Sequence, residues 1–189
     1  MLGEYRAVAR ADLAVARILA ASAAGDTSLY PRLLAAIGES LGWEFGAWWE
    51  VSDEDQVLRC VETWRSSWLH DGVFESLSRR ATFALGVGLP GRVWATGEPA
   101  WIVDLSEDPN FPRVAGAERA GLRSGFAFPV ASARGALGAI EMFASRVHEP
   151  DEELLETMAS LGSQLGQLIE RGRAQAEILE GNERRRASC

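Results

Sequence analysis

The runs Phe126-Ala127-Phe128-Pro129-Val130-Ala131 and Ala136-Leu137-Gly138-Ala139-Ile140-Glu141-Met142-Phe143-Ala144 are apolar and are joined by a turn through Arg134-Gly135. Their lengths suit strands, and a glycine turn between two apolar runs suits a hairpin. Neither run alternates cleanly between apolar and polar residues. A half-buried strand alternates, because successive side chains face opposite sides of the sheet. Both strands are therefore predicted to be central and covered on both faces. The centre of the fold is thus an antiparallel hairpin with other elements packed on each side.

Outward from this hairpin the pattern is mixed. Phe45, Ala47, Trp49 and Val51 alternate with Gly46, Trp48 and Glu50, which predicts a strand. After the acidic turn Ser52 to Gln56, Val57 to Trp64 predicts its hairpin partner. Pro99 to Asp104 predicts a short strand on Trp101-Ile102-Val103. Residues 4–22 read as a helix through Tyr5, Val8, Leu13, Ala16, Ile18 and Leu19, ended by Gly25-Asp26. A second helix has Ser28 as N-cap, Pro31 early, the run Leu33, Leu34, Ile37 and Leu41, and Gly42 as its stop. Phe74, Leu77 and Ala81 mark a short helix within the ambiguous stretch 66–85. Further short helices are expected around Arg92-Val93-Trp94-Ala95 and over Ala115 to Ala120, closed by Gly121; Asp108 to Pro112 reads as a turn. The last helix takes Pro150 in its first turn, and Asp151, Glu152 and Glu153 complement its positive end. This order predicts an α+β domain, an antiparallel sheet with helices packed on it.

The last helix carries two stripes. Leu154, Met158, Leu161, Leu165 and Leu168 step by four and three, the seam of a coiled coil, and Leu179 keeps the register beyond weak positions at Gly172 and Gln175. Leu155, Ala159, Gly162, Gly166 and Ile169 form a second, mostly small stripe. Two stripes imply two partners, the domain's own core and a second copy of the chain. The plainer alternative is one wide stripe buried in a single domain. On the first reading Leu154, Met158, Leu161, Leu165 and Leu168 form a dimer interface. Beyond Gly172 polarity rises, and Arg184-Arg185-Arg186 reads as a solvated end.

Composition narrows the chemistry. A chain of 189 residues fits one domain. With 47% apolar and 24% charged residues it can bury a core. Its net charge is −8, and all 19 basic residues are arginine. The absence of lysine rules out Schiff-base chemistry and the lysine-bearing phosphate loop. The acidic balance argues against nucleic acid as a partner. No apolar run approaches a membrane span, and Arg6, Arg10 and Asp12 interrupt any signal-peptide pattern at the start, so the chain reads as cytoplasmic. Two cysteines, Cys60 and Cys189, are too few for a disulfide scaffold or a cysteine zinc site.

Single constellations mostly read as structure. Gly86, Gly88 and Gly91 fit G-x-G-x-x-G, but no clear strand precedes them and Asp104 follows too soon, so a glycine turn before a helix is preferred to a dinucleotide site. His70 and His148 have no second ligand at zinc spacing, and no metal site is expected. One axial histidine suffices for haem, although His70-Asp71-Gly72 reads as a surface turn. Leu122-Arg123-Ser124-Gly125 lacks the first glycine of a nucleophile elbow. Asp53/Glu54 and Asp151/Glu152 suit a turn and a helix start. Cys60 is expected to face the core and to be inert. The aromatic set is richer: Trp64, Trp68, Trp94, Trp101, Phe111 and Phe126, with Arg92, Asp104 and Arg113 among them. Such a set can line a small-molecule cavity or simply fill a core.

The segments Gly86-Val87-Gly88-Leu89-Pro90-Gly91-Arg92-Val93-Trp94-Ala95-Thr96-Gly97, Pro99 to Asp104, Asp108-Pro109-Asn110-Phe111-Pro112-Arg113 and Ala120 to Val130 together resemble a GAF domain. The resemblance is closest to those of bacterial sensor histidine kinases and related signalling proteins, and it covers roughly residues 28–170. It implies a GAF/PAS-like six-stranded antiparallel sheet, flanked by a helix over 1–27 and a helical linker over 171–189 toward an output domain. It implies a sensory module with a pocket around residues 64–125, for which Trp64, Trp68, Trp94, Trp101, Asp104, Phe111, Arg113 and Phe126 are the expected ligand-binding residues. It also implies a homodimer through the terminal helices that passes the signal on.

The identity of the ligand and any cofactor stays open. The lysine-bearing cyclic-nucleotide motif of the family has no counterpart here; only Phe143 and Asp151-Glu152 match its end. Bilin attachment uses a cysteine often followed by histidine, whereas Val61 follows Cys60. The free-methionine-sulfoxide reductase branch needs several cysteines. A sensory, non-catalytic module is the expected function, with a reductase of that branch or a ligand-free dimerisation scaffold as alternatives.

Overall fold

The computed structural model describes residues 2–23, 25, 26, 28–69 and 72–187, and the side chains of the described residues from 6 to 179. His70, Cys189 and the side chains of Tyr5 and of Arg184 to Arg186 lie outside them. The elements run α1 (Leu2–Ala21), α2 (Leu29–Leu41), β1 (Phe45–Ser52), β2 (Val57–Arg65), α3 (Val73–Arg80), β3 (Thr82–Phe83), α4 (Gly88–Thr96), β4 (Ala100–Ile102), α5 (Val114–Ala120), β5 (Ser124–Ser132), β6 (Gly135–Ala144) and α6 (Glu152–Ala187). No described helix is long and apolar enough to cross a membrane.

The six strands form one sheet in the order β3-β2-β1-β6-β5-β4, and every pair is antiparallel. The hairpin β5–β6 lies inside the sheet, with β6 between β1 and β5, as the lack of alternation predicts. Alternation of side chains then divides the core in two. Trp48, Phe126, Phe128, Val130, Ile140 and Met142 point to one face. Phe45, Ala47, Trp49, Ala127, Ala139 and Phe143 point to the other.

The first face is covered by α1, α2 and α6. Val8, Ala11 and Val15 of α1 and Leu33, Leu34 and Ile37 of α2 are buried there. Leu154, Met158, Leu161 and Leu165 of α6 join the same cluster at 4% exposure or less. These four positions are therefore not a free dimer seam. They belong to the domain's own core, in one cluster with residues of α1, α2 and the sheet. Leu168 is half-buried against the same cluster. The small stripe rests on β5: a Cβ at Gly162 would stand 2.0 Å from the Pro129 carbonyl oxygen, and one at Gly166 2.0 Å from that of Ala131. Glycine is required at both places because helix and strand backbones touch. Both stripes make contacts within this chain.

Local signals differ from expectation in three places. Pro150 precedes α6, and Asp151 caps it by accepting the Leu154 amide at 2.9 Å. Ser28 sits at the N-cap of α2 without capping it; its amide and hydroxyl instead donate to Asp26. The edge strand β3, paired with Leu58 and Arg59 of β2, falls in the stretch that the pattern left ambiguous.

Candidate functional site

The second face of the sheet is covered by α3, α4, α5 and their loops, and a buried ion pair lies within it. Its placement begins with the two motifs Gly86 to Gly97 and Asp108 to Arg113. Arg92 on α4 donates to Asp108 Oδ2 at 2.9 Å, to the Asn110 carbonyl at 3.2 Å and to the Gly88 carbonyl at 3.3 Å. Asn110 accepts the Gly88 amide and donates to the Gly86 carbonyl, each at 2.9 Å. Gly88 has φ 68°, a left-handed conformation that glycine adopts without steric cost. The glycine turn and the Asp-Pro-Asn loop are thus tied together, and the next residues, Phe111 and Arg113, are turned onto the sheet.

Arg113 precedes α5 and reaches the middle of β6. Its Nη1 and Nη2 each donate at 2.8 Å to one oxygen of Glu141, and Nη1 also donates to Ser78 Oγ at 2.8 Å. Glu141 is fully buried and Arg113 is 6% exposed. Space for the guanidinium exists because Glu141 is flanked across the sheet by Ala47 on β1 and Ala127 on β5. Five rings, of Trp49, Phe74, Phe83, Phe111 and Phe143, surround the guanidinium carbon at 5.0–5.4 Å. Such contacts stabilise a desolvated cation by about 2 kcal/mol in favourable cases.

Among the described residues, two donors in this cluster have no partner. Arg113 Nε and Trp49 Nε1 are both buried without a hydrogen bond. A buried unpaired donor costs about 1–3 kcal/mol, so each is a standing cost that an acceptor would remove. A cavity of about 580 Å³ opens between the end of α3, β3 and the start of α5, with Arg113 in its wall; Trp49 does not line it. Among the described residues no group of histidine, cysteine, aspartate and glutamate could hold a metal ion.

The eight expected ligand residues are not brought together. Phe111 and Arg113 lie in this cluster, and Trp94 is half-buried at its side. Trp101 and Phe126 stack on each other at 5.4 Å on the opposite face, where Trp101 donates to the His148 carbonyl at 2.9 Å. The reason is strand alternation: Ile102 and Ala127, their chain neighbours, take the ion-pair face. Trp64 also lies on the helix face, against Gly38 of α2. Trp68 is 83% exposed. Asp104 holds a turn by accepting the amide and hydroxyl of Ser106 and pairs with Arg123; these contacts lower its carboxyl to about 2. Glu141, Ser78 and Trp49, which complete the cluster, are not among the eight expected residues. The available signal was a lone glutamate inside an otherwise apolar central strand.

Cys60 lies on β2, half-buried, with its thiol 3.7 Å from the Glu62 carbonyl. Burial, reinforced by the charge of Glu141, pushes the thiol up to about 12.

The GAF domain family matches residues 23–170. Free methionine-R-sulfoxide reductase from Neisseria meningitidis, solved with its substrate, has a TM-score of 0.72 at 17% identity, over 89% of this chain and 93% of that one. The GAF domain of a phosphoenolpyruvate-protein phosphotransferase from Coxiella burnetii has a TM-score of 0.72 at 16% identity, over 90% and 96%. A domain assigned to a two-component sensor histidine kinase of Sinorhizobium meliloti has a TM-score of 0.62 at 17% identity, over 81% and 97%. Among curated protein sequences none matches. At these identities the likeness is one of fold.

Proposed function

The chain belongs to the GAF domain family, and from that premise we propose that it is a non-catalytic regulatory module of a bacterial signalling protein, working in the cytoplasm. It binds a small molecule on the Arg113 face of the sheet and transmits occupancy to the terminal helices. The observation that carries this reading is the buried Arg113–Glu141 pair beside a cavity, with two donors left unpaired. The route of transmission is short. Strands β1, β5 and β6 present one set of side chains to the ion pair and the other to α1, α2 and α6.

The enzyme alternative has support in fold likeness to the reductase. The chemistry of Cys60 opposes it, because the thiolate is the nucleophile and this thiol is held protonated at neutral pH. Turnover of free methionine sulfoxide with a thiol reductant separates the two. The regulatory reading predicts none above background; turnover abolished by Cys60→Ser would overturn it. A ligand-free scaffold is favoured by the aromatic filling around Arg113. A thermal-shift screen of metabolites distinguishes it, since a ligand of the folded state raises the melting temperature.

Dimerisation through the terminal helices belongs to the same proposal, at apolar positions that the fold leaves exposed. Leu13 on α1 and Ile178 and Leu179 on α6 are at least half exposed. Ultracentrifugation of a Leu13→Glu, Leu179→Glu variant is expected to show weakened association. Association equal to that of the parent would contradict it.

A further inference from the structure

We infer that the ligand of the Arg113 cavity is a monocarboxylate with an apolar body, held on the unused side of the guanidinium. This rests on the reading of that face as a binding site. An arginine carries five N–H donors on a planar fork. In Arg113 the end of the fork takes both oxygens of Glu141, and the outer hydrogen of Nη1 goes to Ser78. What remains is the side of the fork: Nε–H, which has no partner, and the second hydrogen of Nη2. Two parallel N–H groups match the two oxygens of a carboxylate. The unpaired indole Nε1 belongs to Trp49, whose ring centroid is 5.3 Å from the same guanidinium carbon.

Charge selects a monoanion. Glu141 already neutralises Arg113. The remaining cation of the cavity wall is Arg80, and no acidic residue lines it among the described residues. A dianion would leave one charge uncompensated against the buried Glu141 carboxylate, which is costly. The other walls select an apolar body, since they are formed by Leu77, Phe83, Val87, Pro112 and Ala115. The volume of about 580 Å³ holds a small molecule and falls within the usual range for such sites. Nε is shut off from solvent, so binding as proposed includes a displacement of the wall by the carboxylate. A ligand that bonds a donor exposed only in the yielded state shifts the population toward that state.

The test is a titration of the full chain with benzoate, benzamide and benzylamine at neutral pH. It is followed through the Arg113 Nε–H and Trp49 indole N–H resonances and by calorimetry. Benzoate is expected to saturate and to move both resonances. Benzamide is expected to bind at least tenfold more weakly, and benzylamine not at all. Arg113→Lys keeps the cation and loses the fork, and is expected to weaken benzoate at least tenfold. Ala115→Trp adds bulk at the exposed rim of the cavity and leaves Arg113 and Glu141 themselves unchanged; it is expected to abolish binding while its spectrum stays native. Benzamide or benzylamine binding as well as benzoate overturns the carboxylate class and leaves the binding face standing. Silence of benzoate also overturns the class. The thermal-shift screen then decides the underlying reading separately, since a metabolite of other chemistry that binds only when Ala115 is intact would preserve it.

Discussion

Arg113 and Glu141 show how two ionic side chains persist inside a sheet. Taking a charge out of water costs several kcal/mol even after relaxation, and good geometry must offset it. Here both carboxylate oxygens are bonded at 2.8 Å, Ser78 takes a third hydrogen, and five rings surround the cation. Removal of one partner leaves the other uncompensated. Glu141→Ala is therefore expected to lose about 3–5 kcal/mol in urea unfolding; a loss under about 1 kcal/mol would show that the pair is not desolvated. Asp104 sets a pH dependence of the opposite setting, at the surface. Its carboxyl is lowered to about 2 by the Ser106 hydroxyl, by Arg123 and by the Ser106 amide. A lowered carboxyl contributes stability above its unfolded value, near 3.8, and that contribution is lost as pH falls toward 2. Denaturation curves from pH 5 to 2 are expected to flatten in Asp104→Asn, and an unchanged slope would contradict the assignment. At this scale the motif Asp108 to Arg113 made Arg113 and Phe111 legible. Glu141 was not, because its meaning depends on a partner 28 residues away in sequence.

At the scale of elements, α6 is the instructive case. Its periodicity correctly indicated two buried stripes, yet periodicity counts contacts without saying which chain supplies them. The leucine stripe packs into the core cluster shared by α1, α2 and the sheet, and the glycine stripe meets the backbone of β5. Leu161→Ala is expected to cost about 2–5 kcal/mol by leaving a cavity, and Leu161→Glu to prevent folding rather than to release monomers. Circular dichroism with ultracentrifugation checks both; a folded, monomeric Leu161→Glu would restore the dimer seam. Gly162→Ala is expected to cost about 1–3 kcal/mol or more, because the added Cβ would meet the Pro129 carbonyl at 2.0 Å. A melting temperature equal to the parent's would contradict that contact. The strand β3 was illegible for a different reason. Two residues, Thr82 and Phe83, are too short to display a period.

For the whole molecule, the sheet is a shared wall between two cores. The family motifs and the apolar hairpin made this architecture legible, down to the central position of β5 and β6. The placement of the expected ligand residues was less so, because an aromatic residue's face depends on strand parity: Phe126 and Ala127 are neighbours in sequence and lie on opposite sides. The same parity makes the regulatory account testable without knowledge of the ligand. Ala115→Trp is intended to place an indole in the cavity beside Arg113, and hydrogen exchange reports where its effect travels. The account predicts altered exchange in β5 and in α6 between Leu154 and Ile169, across the sheet from the substitution. Changes confined to α3, β3 and α5, with α6 exchanging as in the parent, would contradict it.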